Sequence, residues 1–128
     1  MGGLVSHDRK PIPSIALTTD TSFITAWSND TDFSSIFSRQ IEGLGNENDI
    51  LVSISTSGNS KNVINAIKTA VELKMKNVIL TGKSAGKMID YGDVRICIPS
   101  ENTQRIQESH LLVEHILCEN LESLLLAK

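Results

Sequence analysis

Four short runs of branched apolar residues, Ile12 to Thr18, Ile50 to Ile54, Asn77 to Leu80 and Val94 to Ile98, alternate with segments of helical spacing. Each run reads as a strand buried on both faces, which is the burial pattern of a parallel sheet between helices. The helical segments are long enough to carry the chain back to the start of the next strand. Asp32 to Leu44 sets Phe33, Ile36, Phe37, Ile41 and Leu44 on one side. Ser60 to Leu73 sets Val63, Ile64, Ala66, Ile67, Ala70 and Val71 around one broad apolar face behind a serine N-cap. Thr103 to Leu126 carries a stripe of Ile106, His110, Val113, Leu117, Leu121 and Leu124. Strands alternating with helices predict an α/β fold, a three-layer αβα sandwich around a mostly parallel, doubly wound sheet. With 128 residues the chain suffices for one domain, read as residues 12–128, behind a polar entry segment over residues 1–11.

Composition narrows the function classes. Twelve basic against fifteen acidic residues give a net charge of -3, so no general electrostatic attraction for nucleic acid is expected. No apolar stretch approaches the length of a membrane span, and Met1-Gly-Gly-Leu-Val runs directly into Ser-His-Asp-Arg-Lys, unlike a signal peptide. The two cysteines, Cys97 and Cys118, lack a CxxC partner and sit in apolar runs, which predicts free, buried thiols and a reducing, cytoplasmic setting.

The segment with the most chemistry is Ile54-Ser55-Thr56-Ser57-Gly58-Asn59-Ser60, which follows a predicted strand and opens a predicted helix. Ligands of open parallel sheets bind at the carboxyl ends of strands, and a helix start offers free N–H groups with positive partial charge. Hydroxyls of Ser55, Thr56, Ser57 and Ser60 can donate to a phosphate, and Gly58 admits a close backbone approach. The bland alternative is a polar turn in which Ser60 only caps the helix. Neither G-x-x-x-x-G-K-[ST] nor G-x-G-x-x-G is present, so a phosphorylated small molecule is favoured over a nucleotide.

Other candidates carry weaker signals. Asn29-Asp30 ends a short predicted helix and by itself reads as a turn. Gln107 and His115 lie roughly 80° apart around the final helix and so share a face, with Cα atoms roughly 12 Å apart along it. Taken alone, His115 reads as a half-buried helix histidine. His110 falls on the apolar stripe and reads as packed, with its ring N–H satisfied locally. His7 has no visible partner. Lys83 and Lys87 flank a glycine-bearing turn that reads as a solvated basic loop rather than a second phosphate site. Glu101, Glu108, Glu114 and Glu119 read as solvent-facing or interface charges.

Ile-Ser-Thr-Ser-Gly-Asn-Ser occurs in order with Ala-Leu-Thr-Thr-Asp-Thr-Ser, Phe-Ser-Arg-Gln-Ile-Glu-Gly-Leu-Gly, Leu-Thr-Gly-Lys and Arg-Ile-Gln-Glu-Ser-His. Together these motifs, from about Pro13 to Glu122, resemble the sugar isomerase (SIS) domain of phosphoheptose isomerases. The resemblance implies interconversion of sedoheptulose 7-phosphate and glycero-manno-heptose 7-phosphate for lipopolysaccharide and envelope heptose synthesis. It also implies phosphate binding by Ser55, Thr56, Ser57 and Ser60, and sugar-hydroxyl contacts from Asn29 and Asp30, with Ser28 standing where the family has glycine. Gln107 and His115 would line the active site, His115 in acid–base chemistry, and both would ligate zinc in metal-bearing members. A homotetramer is implied as well. The alternative within the same family is a non-catalytic sugar-phosphate-binding module or a protein associating with the replication initiator.

The family pattern also includes an N-terminal helix, a first strand ending in Gly-Asn-Gly-Gly-Ser, and a second helix with a catalytic Glu and a zinc-binding His. None of these is found in the sequence, and Met1-Gly-Gly-Leu-Val corresponds to the tail of such a helix. The expectations are a piece of a longer gene product, a misassigned start, or a natural short form that closes the gap by self-association. Two of four zinc ligands and the carboxylate partner of His115 are then missing, with Asp30 the nearest nominee.

Overall fold

A computed structural model of the protein describes residues 11–126, so the entry segment before Pro11, including His7, lies outside the described residues. In chain order the elements are helix α1 (Thr21–Asp30), a 3-10 turn (Phe33–Ser35), α2 (Ile36–Leu44), strand β1 (Ile50–Ser55), α3 (Lys61–Glu72), β2 (Lys76–Thr81), a second 3-10 turn (Lys87–Tyr91), β3 (Val94–Cys97) and α4 (Thr103–Leu126). The three strands form one parallel sheet in the order β1-β2-β3. The expected α/β class with a parallel sheet is therefore present.

Local chemistry accounts for the element ends. Asp20 caps α1 by accepting the Phe23 N–H at 2.9 Å, and Phe23 stacks on Trp27 one turn later, with ring centroids 5.7 Å apart. The Trp27 indole donates to Ser35 Oγ at 2.8 Å, which fixes the turn between α1 and α2. Gly45 ends α2 and its N–H closes on Ile41 O at 2.8 Å.

Small residues set the packing between α2 and α3. Ala66 and Ala70 of α3 meet Ile41 of α2, with Leu17, Phe37, Leu51, Leu73 and Met75 around them. Deeper in the same layer, Ile67, Ile79 and Met88 form a second apolar cluster that joins α3 to β2 and to the 3-10 turn beyond it. Because side chains alternate across a strand, Leu51 and Ile79 point toward α2 and α3, while Ile50, Val52 and Ile54 point to the opposite face.

That opposite face departs from the expectation of strands buried on both sides. Ile50, Val52, Ile54 and Val94 are exposed, and only β2, the central strand, is enclosed. α4 meets β2 at its carboxyl end through Ile106 and His110, both buried, and its stripe then loses cover: Val113 and Leu117 are half-buried, and Leu121 and Leu124 are exposed. Ile12 to Thr18 is not a strand either. It runs as irregular backbone, exposed at most positions, and Leu17 anchors it by packing on the α2–α3 cluster while its carbonyl accepts Gln40 Nε2–H at 3.0 Å. The thiols are free as expected, but Cys97, on an edge strand, is exposed and Cys118 is only half-buried. No helix among the described residues is long and apolar enough to cross a membrane.

At the amino end of the sheet Asp93 bridges two strands. Its carboxylate accepts the Asn77 N–H at 2.8 Å and lies 3.3 Å from Lys76 Nζ. The Asn77 N–H, and secondarily Lys76, hold the Asp93 carboxyl below its ordinary range. A carboxyl with a depressed folded value stabilises the fold fully above the unfolded value, and loses that contribution as pH falls through the folded one. Asp93→Asn is expected to lower the melting temperature at neutral pH and to flatten its decline on the acid side, measured by thermal melts across pH. An unchanged acid limb would remove Asp93 from the account.

Candidate functional site

Register places the candidate site. Ser55 pairs with Thr81, so β1 and β2 end level, and the loops that follow them leave the sheet side by side. In the first loop the Gly58 N–H returns to Ser55 O at 3.1 Å, which makes a tight turn into α3. Ser55 Oγ lies 2.9 Å from Ser60 Oγ and 3.5 Å from Ser57 Oγ, so three hydroxyls converge. Ser60 stands at the N-cap position of α3 without capping it through its side chain. This corrects the expected serine cap: the Ser60 hydroxyl is turned into the cluster, and in the first turn of α3 Asn62 Oδ1 accepts the Val63 N–H at 2.9 Å instead. A helix start beside a cluster of hydroxyl donors is an arrangement suited to an anion.

The second loop straps the first in place. Gly82 N–H donates to Thr56 O at 3.1 Å, Lys87 N–H to Asn59 Oδ1 at 3.1 Å, and Met88 N–H to Gly58 O at 3.0 Å. Gly58 and Gly86 both adopt positive φ, 64° and 63°, and meet back to back. A Cβ at Gly58 would stand 1.9 Å from Ala85 O, and one at Gly86 would stand 2.4 Å from Gly58 O. Glycine is therefore required at both positions for conformation and for space.

Between the loops and the start of α4 lies a hollow of about 230 Å³, lined by Thr56 and Ser57 from the first loop, Lys83 and Ser84 from the second, and Ser100, Glu101, Thr103 and Ile106. Of the expected phosphate contacts, the structure brings Ser55, Ser57 and Ser60 together and sets Thr56 and Ser57 on the hollow. The sequence points to Lys83 only as part of a solvated basic loop and does not single out Ser84, Ser100 or Thr103. Their signal was the glycine-bearing turn at the carboxyl end of the second parallel strand, where ligand-binding loops of such sheets cluster.

The remaining expected residues are not gathered into this cluster. Asn29 and Asp30 are exposed at the end of α1 and bond to each other, Nδ2–H to Oδ1 at 2.8 Å. Gln107 and His115 are exposed on α4, which rules out the half-buried reading of His115. Gln107 follows directly on Ile106 at the hollow, and His115 lies two turns further along. His110 is packed as expected. Its Nε2 lies 3.2 Å from Thr81 O, and because a carbonyl only accepts, Nε2 carries the proton, while the buried Nδ1 has no partner. The zinc expectation meets a donor set that is too small: no group of three or more His, Cys, Asp or Glu able to hold a metal occurs among the described residues. Gln107 and His115 alone fall short of the four ligands zinc takes.

The family model of the SIS domain matches residues 1–82. The phosphoheptose isomerase of Sulfurimonas denitrificans is 50% identical over 120 residues, covering 94% of this chain and 62% of that protein. That of Dechloromonas aromatica is 50% identical over 127 residues, covering 97% and 65%. Among solved structures, a phosphoheptose isomerase from Francisella tularensis superposes with a TM-score of 0.84 at 46% identity, over 87% of this chain and 60% of that one. Phosphoheptose isomerase GmhA from Neisseria gonorrhoeae gives 0.83 at 47% identity, over 85% and 61%. The chain thus spans less than two thirds of the length of the relatives it matches.

The back-to-back glycines yield a direct test. Gly58→Ala and Gly86→Ala are each expected to cost at least about 2 kcal/mol from the left-handed backbone and the backbone clash. Thermal melts would register this as a fall of roughly 6 °C or more. A loss below about 2 °C would show that the two loops separate easily and do not depend on this contact.

Proposed function

Since the chain belongs to the SIS domain family, we propose that it forms the phosphate-binding part of an isomerase that interconverts sedoheptulose 7-phosphate and D-glycero-D-manno-heptose 7-phosphate in the cytoplasm, for lipopolysaccharide heptose. The observation that carries this reading is the convergence of the Ser55, Ser57 and Ser60 hydroxyls at the start of α3. Their donors, with Thr56, hold the phosphate, and Gly58 lets the loop backbone approach it. The names of the relatives favour an isomerase over a non-catalytic sugar-phosphate-binding module or an initiator-associating protein.

Anchoring the phosphate fixes the rest of an extended sugar along α4, toward Gln107 and His115. In the ketose-to-aldose direction a base removes a proton from C1, the C2 carbonyl oxygen is protonated to give an enediol, and a proton then returns to C2 while the C1 hydroxyl loses its own. An imidazole can both take up and return a proton, and His115 is the residue assigned to this role. Gln107 orients the enediol oxygens by hydrogen bonding, and Asn29 and Asp30 take sugar hydroxyls. If zinc is held, Gln107 and His115 supply two of its ligands and the rest come from outside the described residues. Exposed apolar residues along α4, among them Leu112, Ile116 and Leu124, support a homotetramer.

Titration calorimetry with sedoheptulose 7-phosphate tests the loop. Ser57→Ala and Ser60→Ala are each expected to weaken binding about tenfold, the cost of one hydrogen bond to a charged group. Unchanged affinity in both would refute the phosphate assignment. In a coupled assay for aldoheptose phosphate, His115→Asn is expected to lower kcat by at least about a hundredfold while binding is retained. Full turnover by that variant would move the acid–base role elsewhere, and binding without turnover by the unaltered chain would favour the non-catalytic module.

A further inference from the structure

The hydroxyl cluster is neutral, yet a phosphate monoester carries about -1.5 to -2 charges near pH 7. Donors without charge and a helix start leave much of that charge uncompensated. Among the residues lining the adjoining hollow, Lys83 is the cation and Glu101 the carboxylate. Lys83 reaches the hollow because the second loop is fastened on both sides: Gly82 N–H to Thr56 O, and Lys83 N–H to Ser100 O at 3.2 Å. The start of α4 offers little to a ligand in the same hollow, since Asn102 Oδ1 already accepts the N–H groups of Gln104 and Arg105, at 3.0 and 3.2 Å.

The Lys83 side chain is committed only weakly. Its Nζ lies 3.1 Å from Glu101 Oε1, with both side chains more than half exposed. Exposed pairs of this kind contribute little, so the lysine is free to change partners. Glu101, once released, remains just ahead of the first turn of α4, where the helix field favours a negative charge.

We propose that Lys83 is the charged contact of the phosphate site, exchanging Glu101 for the phosphate group of a phosphorylated sugar held by the Ser55–Ser60 loop. The proposal rests on the reading of that loop as a phosphate site. It assigns the preference for a doubly charged phosphate over a neutral sugar to a residue of the second loop, and it makes Glu101 a competitor that keeps the lysine positioned in the absence of substrate.

The test is calorimetric binding of inorganic phosphate and of sedoheptulose 7-phosphate to the chain, at several salt concentrations, with circular dichroism to establish that each variant is folded. Lys83→Gln is expected to weaken both ligands about tenfold and to flatten the salt dependence, because one ionic contact is lost. Lys83→Arg restores affinity to within about threefold along with the salt slope. Glu101→Gln tightens binding about twofold to threefold by removing the competitor. A lysine with a purely structural role would leave the salt slope unchanged. If Lys83→Gln binds normally while Ser57→Ala is impaired, the lysine proposal is overturned and the loop reading stands. If the unaltered chain binds neither ligand, the loop reading fails and takes the lysine with it.

Discussion

The contact between Gly58 and Gly86 is the constraint on which the site depends. Two backbones in the left-handed region meet at a separation that leaves no room for a methyl group on either side. That approach brings the Met88 and Lys87 N–H groups onto Gly58 O and Asn59 Oδ1, so backbone donors of the second loop hold the serine loop from outside. Ser57 Oγ still accepts the Asn59 N–H at 3.2 Å, whereas the Ser55 and Ser60 hydroxyls face each other. Ser55, Ser57 and Ser60 have one another as close neighbours, and Ser60 does not cap α3 through its side chain. A loop that spent its serines on capping and turn formation would have few donors left for a ligand.

The same economy appears in the sheet. One face is sealed by α2 and α3 through Ile41, Ala66, Ile67, Ala70 and Ile79, and this sealed layer fixes where β1 and β2 end. The other face carries exposed Ile50, Val52, Ile54 and Val94, and the outer half of α4 adds a row of exposed leucines. Exposed apolar surface on this scale marks an interaction surface in soluble proteins. The site sits at the boundary of the two regions, where Ile106 and His110 still hold α4 against the end of β2.

Much of this was legible in the sequence. Periodicity located α2, α3, α4 and three strands, because amphipathic spacing and β-branched runs report burial directly. The serine loop was legible because its composition has few other uses at a strand-to-helix junction. Ile12 to Thr18 misled for a physical reason: branched residues favour a strand only where a neighbouring edge can pair with it, and here Leu17 packs on helices instead. The exposed faces of β1 and β3 were missed because a short apolar run says nothing about which side is covered. Lys83 reads locally as part of a solvated basic loop because its place on the hollow follows from a register, Ser55 beside Thr81, that no local pattern encodes. Gln107 and His115 fell on one exposed helix face as their spacing requires, and the helix leads them away from the serine cluster rather than into it.

Chemically, the structure separates holding from reacting. The two glycine-bearing loops frame the proposed anion site at the carboxyl end of the sheet, and α4 runs from that point with the acid–base candidate on its exposed face. Amide chemical-shift mapping by nuclear magnetic resonance, with sedoheptulose 7-phosphate added to isotopically labelled chain, examines this arrangement most directly. The account predicts the largest shifts at Thr56 to Lys61, a second set at Lys83 to Gly86, a third around Gln107 and His115, and little change at Leu121 to Leu125. Shifts absent from Thr56 to Lys61, or centred elsewhere on the molecule, would contradict it.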